Sequence, residues 1–204
     1  MAPLPKRAVI TVTSAKADLF NGKETTGVFI SEVLHPFRVF RDAGFEVDSK
    51  LNNTPTPSGL DGNNYGIFFA SAGHSAPIDY PTATGLQKIA EDIWANGGVV
   101  SAVCHGPTIF ANIKDKATGK PIIGGRTITG FTNEGEYVLK IMPEIKSWGK
   151  PLVEEHAAAL GATYKRPDNV WADLHIVDGR VVTGTNPASA TSTAKAAVEV
   201  YNSP

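Results

Sequence analysis

Val99-Val100-Ser101-Ala102-Val103-Cys104-His105-Gly106-Pro107 is the stretch on which the reading of this chain turns. Residues 99–103 are mostly apolar and rich in valine, the character of a strand buried on both faces. Pro107 suits the first turn of a helix, where its missing N–H costs nothing. A strand therefore ends at Val103, a helix begins a few residues later, and Cys104 stands in the turn between them. In open α/β sheets, ligands bind at the carboxyl ends of strands.

Outward from there, strand and helix patterns alternate. Residues 7–13 read as a first strand, 45–48 as a short one and 65–70 as a third, followed by Gly73-His74-Ser75. Apolar residues recur at helical spacing over 25–43, at Val28, Phe29, Val33, Leu34, Phe37, Val39 and Phe40, with Gly44 as the stop. Residues 84–96 form a helix with Leu86, Ile89, Ile93 and Trp94 on its inner face. Further helices are expected from 107, over 150–160 and over 188–201, and strands over 174–177 and 181–183 around the turn Asp178-Gly179-Arg180. The segment 51–64, rich in Pro, Asn and Gly, reads as a loop. Such alternation predicts an α/β, three-layer sandwich around a mainly parallel sheet, organised as a single domain over residues 1–204.

Composition narrows the function. Nineteen basic residues stand against twenty acidic ones in 204, with no block of either sign. A nucleic-acid module driven by phosphate neutralisation is not expected, nor a polybasic membrane binder. Apolar runs fall far short of the about 20 residues of a membrane span, and the first residues carry no secretory pattern. One cysteine excludes an internal disulfide and a Cys-cluster zinc site, and fits a reducing, cytoplasmic location. His35, His156 and His175 show no metal-ligand spacing, and no metal site is expected.

The chemistry centres on Cys104. Small residues two before and two after it, Ala102 and Gly106, are what a tight strand-turn-helix elbow demands. An elbow would push the sulfur into the cleft beside the first N–H groups of the following helix, an arrangement expected to lower a thiol pKa. His105, next in the chain, is suited to proton transfer near neutral pH. The plain alternative is a buried cysteine acting as a small hydrophobe.

Residues 102–107, preceded by Gly97-Gly98-Val99-Val100, resemble the nucleophile elbow of the DJ-1/PfpI superfamily, and more narrowly its Hsp31-like branch of fungal glutathione-independent glyoxalases (glyoxalase III, D-lactate dehydratase). Other stretches agree in order: Thr26-Gly27-Val28-Phe29 with Glu32, His35-Pro36-Phe37, residues 65–74, Thr129-Gly130-Phe131-Thr132 with Glu136, residues 178–184, and Asn186-Pro187-Ala188-Ser189. The resemblance implies a flavodoxin-like, DJ-1-like fold, a small 2-oxoaldehyde substrate, no cofactor, and a homodimer. It makes Cys104 the nucleophile, His105 its acid/base neighbour and Glu136 the carboxylate of the triad, with Glu134 as a rival. Glu32 becomes the carboxyl group held against the sulfur, and Gly73 and His74 the oxyanion and substrate-binding positions. The chain departs from the family in a shorter segment after Val47-Asp48, and in Ala72-Gly73-His74-Ser75 where Gly-Gly-His-Gly is common.

Physics adds a condition to Glu32. An ionised carboxylate beside a thiolate would repel it, whereas a protonated one would donate a hydrogen bond to the sulfur. Glu32 is therefore expected to be buried and to hold its proton when Cys104 is ionised, the two titrating as a pair. The favoured activity is conversion of methylglyoxal to lactate through a hemithioacetal on Cys104, alongside a possible stress-chaperone role. The alternatives are a cysteine amidohydrolase or peptidase-like hydrolase, and a non-catalytic, redox-sensing holdase.

Overall fold

The computed structural model describes residues 3–49 and 57–203. In chain order the elements are β1 (Arg7–Thr11), β2 (Ala17–Leu19), β3 (Glu24–Thr26), α1 (Ser31–Asp42), β4 (Glu46–Ser49), β5 (Ile67–Ala70), α2 (Ala76–Asp79), α3 (Thr84–Ala95) and β6 (Val99–Val103). A 3₁₀ turn follows over Gly106–Asn112, then β7 (Thr127–Ile128), α4 (Asn133–Val138), α5 (Met142–Ser147), α6 (Val153–Ala159), β8 (Thr163–Tyr164), β9 (His175–Asp178), β10 (Val181–Gly184) and α7 (Ala190–Asn202).

Six strands form the central sheet in the order β4-β1-β5-β6-β10-β9, parallel except for the antiparallel edge strand β9. Strands β5, β6 and β10 are buried at every position, as their mostly apolar character, interrupted only by Ser101, Thr183 and Gly184, required. At the edge, β9 alternates exposed His175 and Val177 with half-buried Ile176 and Asp178. From β1 the chain crosses through α1 to β4 on one side; from β5 it crosses through α3 to β6 on the other. Right-handed crossovers in opposite directions put α1 and α3 on opposite faces of the sheet. They also leave a crevice between β1 and β5 at the carboxyl ends of the strands.

The helix expected over 25–43 begins only at Ser31. Thr25 and Thr26 instead pair with Asp18 and Ala17 in the β2–β3 hairpin, whose turn uses positive φ at Phe20, Asn21 and Gly22. The Phe29 N–H donates to the Ala72 carbonyl at 2.7 Å, which diverts the chain from a helical path. Val28, Phe29 and Leu34 are consequently exposed rather than part of an inner face. The helix expected from 107 is a 3₁₀ turn, and the helix of 150–160 is confined to α6. Residues 51–56 of the loop expected over 51–64 lie outside the described residues, as does the junction after Ser49; the described part holds two 3₁₀ turns, Pro57–Gly59 and Gly62–Asn64.

At the end of β6 the elbow is real. Cys104 has φ 61°, a left-handed conformation that costs a non-glycine residue roughly 1–2 kcal/mol. Its N–H donates to the Gly184 carbonyl at 3.0 Å, and its carbonyl accepts from the Phe131 N–H at 2.8 Å, so both backbone groups are anchored. The turn is tight because a Cβ on Gly106 would stand 2.4 Å from the Ala70 carbonyl oxygen. Gly106→Ala is therefore expected to lower stability by about 1–3 kcal/mol, measured by denaturant unfolding; an unchanged midpoint would show that the elbow tolerates a side chain.

Candidate active site

Three loops at the carboxyl ends of the strands, together with two helix starts, bring the expected residues into one place. From Cys104 the sulfur lies 3.3 Å from His105 Nδ1, and His105 Nε2 lies 2.6 Å from Glu136 Oε1. His105 and Glu136 are each 1% exposed, so this pair is sheltered from water. Glu134, the rival carboxylate, is exposed on the opposite side of the same helix start. Glu136 is presented by α4, whose N-terminus is capped by Thr132 Oγ1 accepting from the Gly135 N–H at 2.8 Å.

Glu32, in the first turn of α1, is completely buried. Its Oε2 accepts from the Ala72 N–H at 3.0 Å, while the carboxyl group also meets the Cys104 sulfur. Oε1 has no nitrogen or oxygen partner. The backbone clamp between Phe29 and Ala72 fixes this approach, and Gly73 is the residue that allows it: a Cβ there would fall 1.9 Å from the Gly27 carbonyl oxygen. No larger residue fits.

Burial pushes Glu32 up from the ordinary carboxylate range to about 8, although the Cys104 contact and the Ala72 N–H pull the other way. The Cys104 thiol is also pushed up, by burial first and then by the two carboxyl groups of Glu32 and Glu136. This reverses the expectation of a lowered thiol. Only the His105 amide favours the thiolate, and it is outweighed by desolvation and negative neighbours. Glu32 and Cys104 thus compete to retain protons, and charge on one raises the cost of charge on the other. His74 is pushed down to about 3 by burial and by neighbouring His105, and so is neutral.

The cavity beside the sulfur has a volume of about 180 Å³. Glu32, Gly73, His74 and Cys104 form one side of it, with His105 and Glu136 packed behind them. Its other walls are Phe29, Phe131, Leu139, Trp171 and Pro187, a role that residue spacing did not reveal. Phe131 stacks on the His105 ring at 4.9 Å and 28°, and lies 6.1 Å from the Trp171 ring. The signal for Phe131 was its place in the Thr129–Thr132 stretch, which the Cys104 carbonyl pins in position. Elsewhere, His35 and His175 are exposed, and His156 is half-buried with its pKa lowered by burial.

A parallel sheet, a strained cysteine at a strand-to-turn corner and a buried Cys-His-Glu array define a protein of the DJ-1/ThiJ/PfpI fold. No family model matches the chain. It is 42% identical over 231 residues to the glutathione-independent glyoxalase HSP31 of Saccharomyces cerevisiae, with 96% of this chain and 98% of that protein covered. That alignment is longer than the 204 residues here, so the yeast protein carries residues without a counterpart. The crystal structure of glyoxalase III from Candida albicans superposes with a TM-score of 0.91 at 38% identity, covering 95% of this chain and 96% of that one. A ThiJ/PfpI domain protein from Brachyspira murdochii shares the fold at 17% identity, with a TM-score of 0.67 and 98% of each chain covered. The chain belongs to the Hsp31-like family of glutathione-independent glyoxalases.

The raised Glu32 value has a consequence for stability. Above the ordinary value of 4.5, the folded chain holds a proton that the unfolded chain has released. Stability contributed by that proton is present at low pH and is lost as pH rises towards about 8. Between pH 5 and 8 the unfolding free energy of the wild type should fall relative to Glu32→Gln, with a slope approaching about 1 kcal/mol per pH unit. Parallel stability curves for the two proteins would refute a proton held on Glu32.

Proposed function

We propose that this chain converts methylglyoxal, or a similarly small 2-oxoaldehyde, to the 2-hydroxy acid without glutathione, using Cys104 as nucleophile. The observation that carries this reading is the Cys104 sulfur at the edge of a small cavity, between a buried carboxyl group and a buried His105–Glu136 pair. Glutathione-independent glyoxalase is also the name carried by family members at 34–42% identity.

In the proposed sequence, His105 Nδ1 takes the thiol proton as the Cys104 sulfur adds to the aldehyde carbon, and the Gly73 and His105 N–H groups hold the resulting oxyanion. Glu32 gives that oxygen its proton and becomes the carboxylate that removes the proton from the same carbon. The electron pair forms an enediol, and Glu32 returns the proton to the neighbouring carbon, with His105 as the alternative carrier. The remaining hydroxyl proton passes to the second oxygen, towards which neutral His74 donates. A thioester of the 2-hydroxy acid results: the aldehyde carbon has been oxidised and the ketone carbon reduced. Once the thiol proton has passed from His105 to the Glu32 carboxylate, His105, its ring oriented by Glu136, activates water; the thioester is cleaved and Cys104 leaves with the proton taken from that water. A Glu32 value near 8 suits a group that must both give and take a proton near neutrality.

The cavity volume of about 180 Å³ with its aromatic walls supports a substrate of a few heavy atoms rather than a peptide. A single cysteine, unpaired in the structure, supports a cytoplasmic location; no helix among the described residues is long and apolar enough to cross a membrane. Exposed Val28, Phe29, Ile30 and Leu34 at the start of α1 support a homodimer.

Lactate formed from methylglyoxal in glutathione-free buffer is the decisive assay. Cys104→Ala should reduce it by about 10³-fold or more, and full activity in that variant would sink the mechanism. For assembly, Ile30→Asp combined with Leu34→Asp should convert a dimer to a monomer in multi-angle light scattering. A wild type that is already monomeric, or a variant still dimeric, would reject this surface.

A further inference from the structure

His74, His105 and Glu136 each offer a ligand atom, and these atoms all lie within 4.8 Å of one another. His74 Nε2 and Glu136 Oε2 are 3.5 Å apart, both buried, and neither has a hydrogen-bond partner. That separation is long for a hydrogen bond. It is close to the spacing of two donors on one tetrahedral zinc ion, about 3.3 Å when each bond is about 2.0–2.1 Å. Two imidazoles and one carboxylate are a known donor set for zinc sites that keep a position open. The open position would face the cavity, which His74 lines.

We propose that this cluster binds a divalent ion of zinc's kind through His74 Nε2, His105 Nε2 and a carboxylate oxygen of Glu136, and that the bound ion blocks turnover. The ion takes the place of the proton that His105 Nε2 and Glu136 Oε1 hold between them at 2.6 Å, and that proton moves to Nδ1, so the ring stays neutral. With Nε2 occupied, His105 carries its one proton on Nδ1, 3.3 Å from the sulfur. It can then donate to Cys104 but cannot take a proton from it. Sequence spacing gave no hint of such a site, because His105 and Glu136 stand 31 positions apart and the three ligands come from the turn after β5, the elbow after β6 and α4.

The binding half of this proposal stands apart from the glyoxalase reading; the inhibitory half rests on it. The full chain, stripped of metal by dialysis against a chelator, is titrated with Co²⁺ and followed by absorption. One equivalent should give the visible ligand-field bands of a four-coordinate ion, persist in Cys104→Ser, and be displaced by Zn²⁺. His74→Phe should weaken binding by about 100-fold or more, at least the loss that outer partners of a ligand can cause. A thiolate-to-cobalt charge-transfer band in the wild type, lost in Cys104→Ser, would overturn the assignment without recourse to the His74 variant. So would the absence of saturable binding, or binding unchanged in a folded His74→Phe protein. One equivalent of Zn²⁺ should lower wild-type lactate formation at least tenfold and EDTA should restore it; unchanged turnover in the loaded protein would overturn the inhibitory half. A chain that binds cobalt as described yet forms no lactate even when metal-free counts against the glyoxalase reading and leaves the site standing.

Discussion

Everything at the site depends on one residue being held where its backbone would not go unaided. Cys104 sits in the left-handed region, and the sheet and the Thr129–Thr132 loop hold it there by taking both its N–H and its carbonyl. The same two hydrogen bonds join β6 to β10 and bring Phe131 alongside His105. Strain in the backbone and assembly of the surrounding walls are therefore one event. Gly106 lets the chain leave the turn against Ala70, and Gly73 lets a neighbouring loop close over Gly27. Neither glycine needs a positive φ; each is small because another backbone passes within contact distance.

Electrostatically, the site is an exercise in withholding water. Two carboxyl groups and a thiol lie buried together, with few compensating donors: one amide on Glu32, one on the sulfur and one imidazole on Glu136. Desolvation dominates the response, and it favours neutral forms for acid and base alike. Protons inside such a cluster are shared rather than owned. A carboxyl group near 8 places a proton donor against the sulfur without introducing a second full charge.

Strands β5, β6 and β10 could be read directly because a strand buried on both faces leaves a mostly apolar, valine- and phenylalanine-rich run. Cys104 and His105 were equally legible, since their chemistry lies in adjacent residues and in the small neighbours that the turn requires. The start of α1 was not. Val28, Phe29 and Leu34 fall at helical spacing, yet Thr25 and Thr26 belong to a hairpin whose partner, Ala17–Leu19, no local pattern identifies. Glu136 was reachable only through likeness to a family, because nothing in the 30 intervening residues ties it to His105. The direction of the thiol shift was misjudged for a related reason: helix-end dipoles can be read from local sequence, whereas carboxylates arriving from distant segments cannot.

The residues gathered at the cavity come from separate crossovers, Glu32 from the segment after β1, Gly73 from that after β5 and Cys104 from that after β6. No one supersecondary unit contains a working subset. Loosening any one of them dissolves the cluster while the remaining sheet persists, so thermal inactivation can precede the loss of secondary structure. Catalytic lifetime in such an arrangement is governed by the least stable of three connections rather than by the stability of the core beneath them.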